Sequence, residues 1–129
     1  MSELEIRRVR FSKEADNWLR VLKARTGITP NLLCRIGFCL SLSEPGIPSE
    51  DRYDDESDRD INRYTLLGEY DTVFVALLRQ RLANDGIDPD AELEGPFRAH
   101  LHRGVILLAS RMKHLSDLAE FVHRPPTLV

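Results

Sequence analysis

The spacing of apolar and polar residues predicts one short strand at the start of the chain. Apolar and charged residues alternate through residues 4–11, as expected of a half-buried strand. One face of this strand carries Val9 and Phe11, and the other carries Ile6, Arg8 and Arg10. Because a lone strand leaves its backbone N–H and C=O groups without partners, it must pair with another strand.

Two amphipathic helices joined by a tight turn are predicted to follow. Ser12 can cap the first helix, and Gly27 stands where a left-handed C-terminal cap belongs. Thr29 and Pro30 are then predicted to begin the second helix, as its N-cap and its first helical residue. The second helix extends to about residue 42, and its Gly37 would permit close contact with another helix.

The remaining pattern predicts a loop and two long helices. Residues 43–63 read as a turn-rich loop that includes an acidic run, residues 51–60, which is called the acidic segment below and is expected to be solvated. Residues 64–123 read as two helices, one capped by Asn62 and ending near Gly86, the other running from about Pro96 to His123 before Pro125. The expected fold is mainly α, with one short N-terminal strand and about four helices in a single domain over residues 1–129.

Composition supports a globular chain. Of its 129 residues, 42% are hydrophobic and 30% are charged, which argues against disorder. No apolar run is long enough to span a bilayer, and the N-terminus lacks the apolar core of a signal peptide. A cytoplasmic location without membrane attachment is therefore expected.

Charge is unevenly distributed along the chain. The formal net charge is −3, which argues mildly against a nucleic-acid-binding protein. However, residues 1–42 hold eight Lys or Arg and four Asp or Glu, and residues 96–129 hold five and two. The acidic excess lies between these two basic regions. A folded oligomer could therefore present a basic face to a phosphate backbone.

Candidate metal ligands and catalytic groups are sparse. Cys34 and Cys39 would project in different directions from one helix, so two reduced, buried thiols are expected rather than a disulfide or a zinc site. His100 and His102 fall on different helical faces. No nucleophile–base pair or glycine-rich phosphate loop is evident, so neither a cofactor, nor a metal, nor an enzymatic activity is expected.

The strand–helix–helix pattern resembles the ribbon-helix-helix DNA-binding proteins. In that class two chains each supply one strand of a ribbon that enters the major groove. The resemblance implies DNA contacts by residues on the strand's polar face, at the start and end of the first helix, and at the backbone N–H groups that begin the second helix. These are Arg8, Arg10, Lys13, Lys23, Arg25 and the donors of Asn31 and Leu32. The alternative is an ordinary β-α-α fragment whose basic side chains are solvated.

Nearly the whole chain also resembles the DNA sulfur modification protein DndE. The similarity is carried by R-V-R-F-S-K-E-A at 8–15, L-K-A-R-T-G-I-T-P-N at 22–31, R-D-I-N-R-Y-T-L-L-G-E-Y at 59–70 and H-L-H-R-G at 100–104. It implies a tetrameric, non-catalytic protein that binds duplex DNA with a preference for nicks. It also implies partners in DNA phosphorothioation: a cysteine desulfurase, an iron-sulfur protein and an ATPase.

Three functions remain open at this point. The first is a DNA-binding subunit of the phosphorothioation machinery, which predicts affinity that depends on salt and favours a nick. The second is a ribbon-helix-helix repressor with one preferred operator. The third is a scaffold that assembles the sulfur-transfer enzymes and touches DNA little.

Overall fold

The computed structural model describes residues 4–123, and most of these residues are helical. The strands are β1 (Arg8–Arg10) and β2 (Asp60–Asn62). The helices are α1 (Lys13–Thr26), α2 (Pro30–Ser43), α3 (Arg63–Leu67), α4 (Asp71–Asn84), α5 (Glu94–Arg111) and α6 (Leu118–His123). Short 3₁₀ turns lie at Asp51–Tyr53, Gly68–Tyr70 and Leu115–Asp117. This architecture confirms a mainly α fold with a short N-terminal strand.

The partner of the N-terminal strand comes from the same chain. β1 pairs antiparallel with β2, so that Arg8 faces Asn62 and Arg10 faces Asp60. Two further backbone bonds, from the Phe11 N–H to the Arg59 carbonyl and from the Arg63 N–H to the Arg7 carbonyl, continue the pairing at both ends. The resemblance to ribbon-helix-helix proteins implied that a second copy supplies the partner strand, and this expectation was wrong, because β2, which begins at the end of the acidic segment, occupies that position.

The residues before β1 enter the core. Leu4 and Ile6 are buried together with Val9 and Phe11 in one apolar cluster. The assignment of Ile6 to the polar face with Arg8 was therefore wrong. Only Arg8–Arg10 has strand geometry, so the alternation does not extend back to Ile6.

The local signals at the helix ends are confirmed. The Ser12 hydroxyl accepts a hydrogen bond from the Ala15 N–H, and Gly27 closes α1 in the left-handed conformation at φ 76°. Thr29 is the N-cap of α2 and Pro30 its first residue, although the Thr29 side chain makes no capping bond. These short-range features depend only on neighbouring residues, which explains why the sequence predicts them well.

Helices α2 and α5 cross backbone against backbone at two glycines. A Cβ on Gly37 would lie 2.7 Å from the carbonyl carbon of Gly104, and a Cβ on Gly104 would overlap the carbonyl oxygen of Gly37. One turn away, the hydroxyl of Ser41 on α2 contacts His100 on α5, so the helices run antiparallel. The close contact predicted for Gly37 is confirmed. Large side chains pack around the crossing, among them Leu33, Phe38, Phe97, Leu101, Val105 and Leu108.

The two long helices predicted for residues 64–123 are each interrupted. Gly68 adopts φ 57°, and the Arg35 guanidinium occupies the space where a Cβ would lie and donates to the carbonyls of Thr65 and Leu66. Asn62 caps α3 as predicted, but that helix ends at Leu67. The last predicted helix ends at Arg111 and resumes as α6. The proline pair expected to close it lies outside the described residues.

Replacing Gly104 with alanine is expected to destabilise the protein strongly. The new methyl group would force α2 and α5 apart, and overpacking of this kind costs about 2 kcal/mol or more even after the gain in helix propensity. Urea unfolding followed by circular dichroism measures the effect. Ser110→Ala, on the exposed part of α5, is the matched control and should change the free energy of unfolding little. Equal stability of the two variants would contradict the backbone contact.

Candidate nucleic-acid interface

Arg8 and Arg10 are exposed, but both face carboxylates. Arg8 Nη2 lies 2.7 Å from Asp60 Oδ1, and this contact raises the pKa of Arg8 and lowers that of Asp60. Arg10 lies 3.8 Å from oxygens of Glu56 and of Asp60, and it also donates to the Ser57 carbonyl. These carboxylate partners were not predicted from the sequence. The negative charge of the acidic segment was a sequence signal for such ion pairs, but it did not indicate which carboxylate would face which arginine.

The other predicted contacts lie on α1 and have no partner. In the described part of the chain, the side chains of Lys13, Lys23 and Arg25 are exposed and make neither hydrogen bonds nor ion pairs. At about 100° per residue, Lys13 and Lys23 lie on the same side of α1, with Arg20 between them, and Arg25 lies on the other flank of the exposed face. Arg20 was missed by the sequence analysis and is paired with Asp16.

The acidic segment is anchored to the beginning of α1. The Asp55 carboxylate accepts a hydrogen bond of 3.0 Å from the Lys13 backbone N–H, and Ser57 donates from its backbone N–H to the Phe11 carbonyl. Arg59 completes the anchor with a 2.6 Å contact to the buried carboxylate of Asp16. Most of this segment is exposed, as expected of a solvated acidic loop, but it also contains the first residue of β2 and binds β1 and α1.

A shallow cleft of about 360 Å³ brings Arg8 next to the beginning of α2. Asn31, Arg59 and Asn62 are among its lining residues. The Asn31 amide donates to the Thr65 carbonyl and its oxygen accepts from the Thr29 hydroxyl, so the side chain is engaged. The predicted backbone donors of α2 thus open on the same side of the molecule as Arg8.

Most of the basic charge contributed by α4 and α5 is used within the fold. Arg81 and Arg103 donate together to carbonyls in the last turn of α2 and just after it, with Gly46 among the shared acceptors. Arg98 donates to the carbonyls of Arg10 and Tyr53. Although residues 96–129 are rich in Lys and Arg, few of the positive charges in the described part of that region are therefore free at the surface.

The two buried histidines are neutral structural groups. His102 Nε2 accepts from the Ser12 N–H at 3.0 Å, and its Nδ1–H donates to the Arg98 carbonyl at 2.7 Å. Arg103 donates to the Ser41 hydroxyl, which directs the hydroxyl proton towards His100 Nδ1 at 2.8 Å. Burial is the largest cause that lowers the pKa of each imidazole to about 4.

Neither metal ligation nor thiol chemistry has a built site in residues 4–123. No three His, Cys, Asp or Glu side chains in this range lie close enough together to hold a metal ion. Cys34 is buried, which raises its pKa to about 12, whereas Cys39 is exposed and so departs from the expectation of two buried thiols. Within the same range no helix is both long and apolar enough to cross a membrane.

The fold and its basic surface define a small, mainly helical protein with three unpaired, exposed cations on α1 in the described part of the chain. The sequence profile of the family described as "DNA sulphur modification protein DndE" matches residues 8–116. The chain therefore belongs to the DndE family.

Solved structures agree with this assignment. The crystal structure of DndE from Escherichia coli B7A, involved in DNA phosphorothioation modification, has a TM-score of 0.64 and 27% sequence identity, covering 83% of this chain and 99% of that one. A mutant DndE structure has a TM-score of 0.60 at 23% identity, covering 81% and 98%, and supports the fold. A comparison with curated protein sequences found no match.

Acidification is expected to destabilise the fold between pH 6.5 and 4. The unfolded chain takes up protons on histidine below about pH 6.5, whereas the folded protein takes them up only near pH 4. The histidine contribution is therefore complete above pH 6.5 and falls by up to about 1.4 kcal/mol per pH unit for each imidazole. Urea unfolding at pH 7, 6 and 5 measures the slope. His102→Gln should flatten it, and an identical slope in the variant would refute the assignment.

Proposed function

We propose that this protein is a non-catalytic DNA-binding subunit of the DNA phosphorothioation machinery. The observation that carries the proposal is the set of unpaired, exposed cations on α1, Lys13, Lys23 and Arg25, in a member of the DndE family. Cations without an internal partner can neutralise phosphates and release counterions without first breaking an ion pair. Arg8 and Arg10 adjoin this surface and are secondary contacts, because carboxylates already face them.

The contacts are expected to read the DNA backbone and its shape rather than base sequence. Lysine ammonium groups spaced along one helix are suited to phosphates, which carry no sequence information. A nick makes a duplex easier to bend, and a duplex that bends can contact more of the basic residues at once. Preference for nicked DNA follows from this argument without a base-specific contact.

The protein is proposed to supply binding rather than chemistry. A desulfurase, an iron-sulfur protein and an ATPase are the partners proposed to carry out sulfur transfer in the cytoplasm, while this subunit, as a homo-oligomer and proposed tetramer, holds the DNA. Oligomerisation would raise the overall affinity for DNA, because it joins several copies of the basic surface. Once one copy has bound, the same DNA molecule is held at a high effective concentration near the others.

A scaffold role has its own supporting observation. Tyr70, Val73 and Leu77 lie on one side of α4 and are each between 44% and 54% exposed. An exposed apolar ridge of this kind is typical of a protein–protein contact. The ribbon-helix-helix repressor has less support, because β1 is paired within its own chain.

Binding to nicked, intact and single-stranded DNA of matched sequence tests the main proposal. We expect the affinity for nicked duplex to exceed that for intact duplex. Across a salt series, both affinities should fall steeply as the salt concentration rises. Lys13→Ala combined with Lys23→Ala should weaken binding to every form and reduce the salt slope by about two units. Fluorescence anisotropy, with the oligomeric state measured in the same buffer, provides the readout.

Lys113→Ala is the control for a change in net charge, since Lys113 is also exposed but lies beyond α5. It should leave the affinity nearly unchanged. Weak binding of all three DNA forms that does not respond to salt would remove the proposal.

The exposed α4 ridge is also proposed to be the contact between copies of this chain, so charge placed on it is expected to break self-association. Val73→Glu with Leu77→Glu would place two carboxylates in an apolar contact, where burial of unpaired charge is unfavourable. Sedimentation velocity should show a smaller particle. Thr72→Glu with Ala76→Glu adds the same charge to the neighbouring exposed side of α4 and should leave the mass unchanged. If both variants keep the wild-type mass, the ridge is not the interface.

A further inference from the structure

Asp60 and Glu56 occupy the position that DNA phosphates would take on the arginines of β1. Asp60 contacts both Arg8 and Arg10, at 2.7 and 3.8 Å, and Glu56 contacts Arg10 at 3.8 Å. Carboxylate and phosphate oxygens bind guanidinium groups through the same N–H donors, so one group excludes the other. In this conformation the two arginines are therefore satisfied by the protein itself.

The backbone holds these carboxylates in place. Asp60 is directly opposite Arg10 in the β1–β2 ladder, so its Cβ is fixed on the same face of the ribbon. The anchors on either side, from Asp55 to the Lys13 N–H and from Arg59 to Asp16, keep the acidic segment against β1 and α1. A tethered group of this kind competes at a high effective concentration.

The exposure of the pairs leaves them open to exchange. The side chain of Arg8 is 58% exposed and that of Arg10 is 46% exposed, so a phosphate can approach both guanidinium groups from solvent. Ion pairs at this exposure are weak, which permits their replacement. The contacts are thus stable enough to compete and weak enough to be displaced.

We propose that Asp60 and Glu56 act as an internal competitor that regulates the DNA-binding surface, so that Arg8 and Arg10 engage a phosphate backbone only when it displaces these carboxylates. This inference rests on the proposed function. Its consequence is a smaller contribution from β1. DNA held by the α1 lysines alone gains nothing from Arg8 and Arg10, whereas a duplex that reaches β1 gains both arginine contacts less the free energy needed to displace the carboxylates. The competitor therefore lowers the affinity of every duplex that reaches β1.

The test compares two double variants with equal changes in net charge. Asp60→Asn with Glu56→Gln removes the competing carboxylates, whereas Asp54→Asn with Asp58→Asn removes two exposed carboxylates of the same segment that have no partner in the described part of the chain. We expect the first variant to bind intact duplex about two- to fivefold more tightly than the second, from the strength of exposed ion pairs. Its salt slope should also steepen by about one unit for each arginine released.

A second background separates competition from a general field effect. With Arg8→Ala and Arg10→Ala already present, the Asp60→Asn and Glu56→Gln changes should have no more effect than the control pair. Equal gains for both carboxylate pairs in the wild-type background would overturn the inference, as would weaker binding after loss of Asp60 and Glu56. If the double variant unfolds, Glu56→Gln alone can replace it in this test, because the Glu56 side chain is largely exposed and its replacement should not disturb the fold.

Failure of this inference and failure of the proposed function give different results. If the wild-type chain binds nicked DNA and the two carboxylate pairs behave alike, DNA binding stands and the competitor does not. If no protein binds any DNA form at low salt, the proposed function itself fails.

Discussion

The contact between Gly37 and Gly104 determines where the other elements can lie. Because α2 and α5 approach until their backbones touch, no side chain separates them at the crossing, and the residues one turn away must match each other closely. The Ser41 hydroxyl meets His100 there, and Arg103 bonds both that hydroxyl and the Ser41 carbonyl. A polar cluster can be buried beside the crossing only because every member has a partner.

Several arginines of this protein donate to backbone carbonyls. Arg35 holds the end of α3, Arg63 donates to the Leu4 and Ile6 carbonyls, and Arg98 joins β1 to the turn at Tyr53. A planar guanidinium with five donors can satisfy several carbonyls where irregular segments meet a helix. The number of basic residues counted along the sequence therefore overstates the positive charge that a polyanion would encounter, and in the described part of the chain α1 carries three cations without a partner, Lys13, Lys23 and Arg25.

Sequence reasoning succeeded where neighbouring residues decide the structure. Ser12, Gly27 and the Thr29–Pro30 pair act within one helical turn, and Gly37 signals a close contact without identifying its partner. It failed where distant segments meet. β2 is three residues long and lies in an acidic stretch without strand-like alternation, so nothing near β1 indicated that Asp60 would face Arg10. The candidate cations were predictable from the sequence, whereas the carboxylates facing two of them were not.

His102 connects the helical core to the basic surface. Its Nε2 accepts from the Ser12 N–H, and Ser12 in turn caps α1, the helix that carries the free lysines. Its ring also packs against Phe11, which follows β1, and against Tyr53 in the acidic segment. Only one neutral tautomer satisfies both hydrogen bonds, because a proton on Nε2 would face the Ser12 N–H. The direction in which α1 leaves β1, and with it the spacing between the lysines and the β1 arginines, thus depends on an uncharged imidazole in the core.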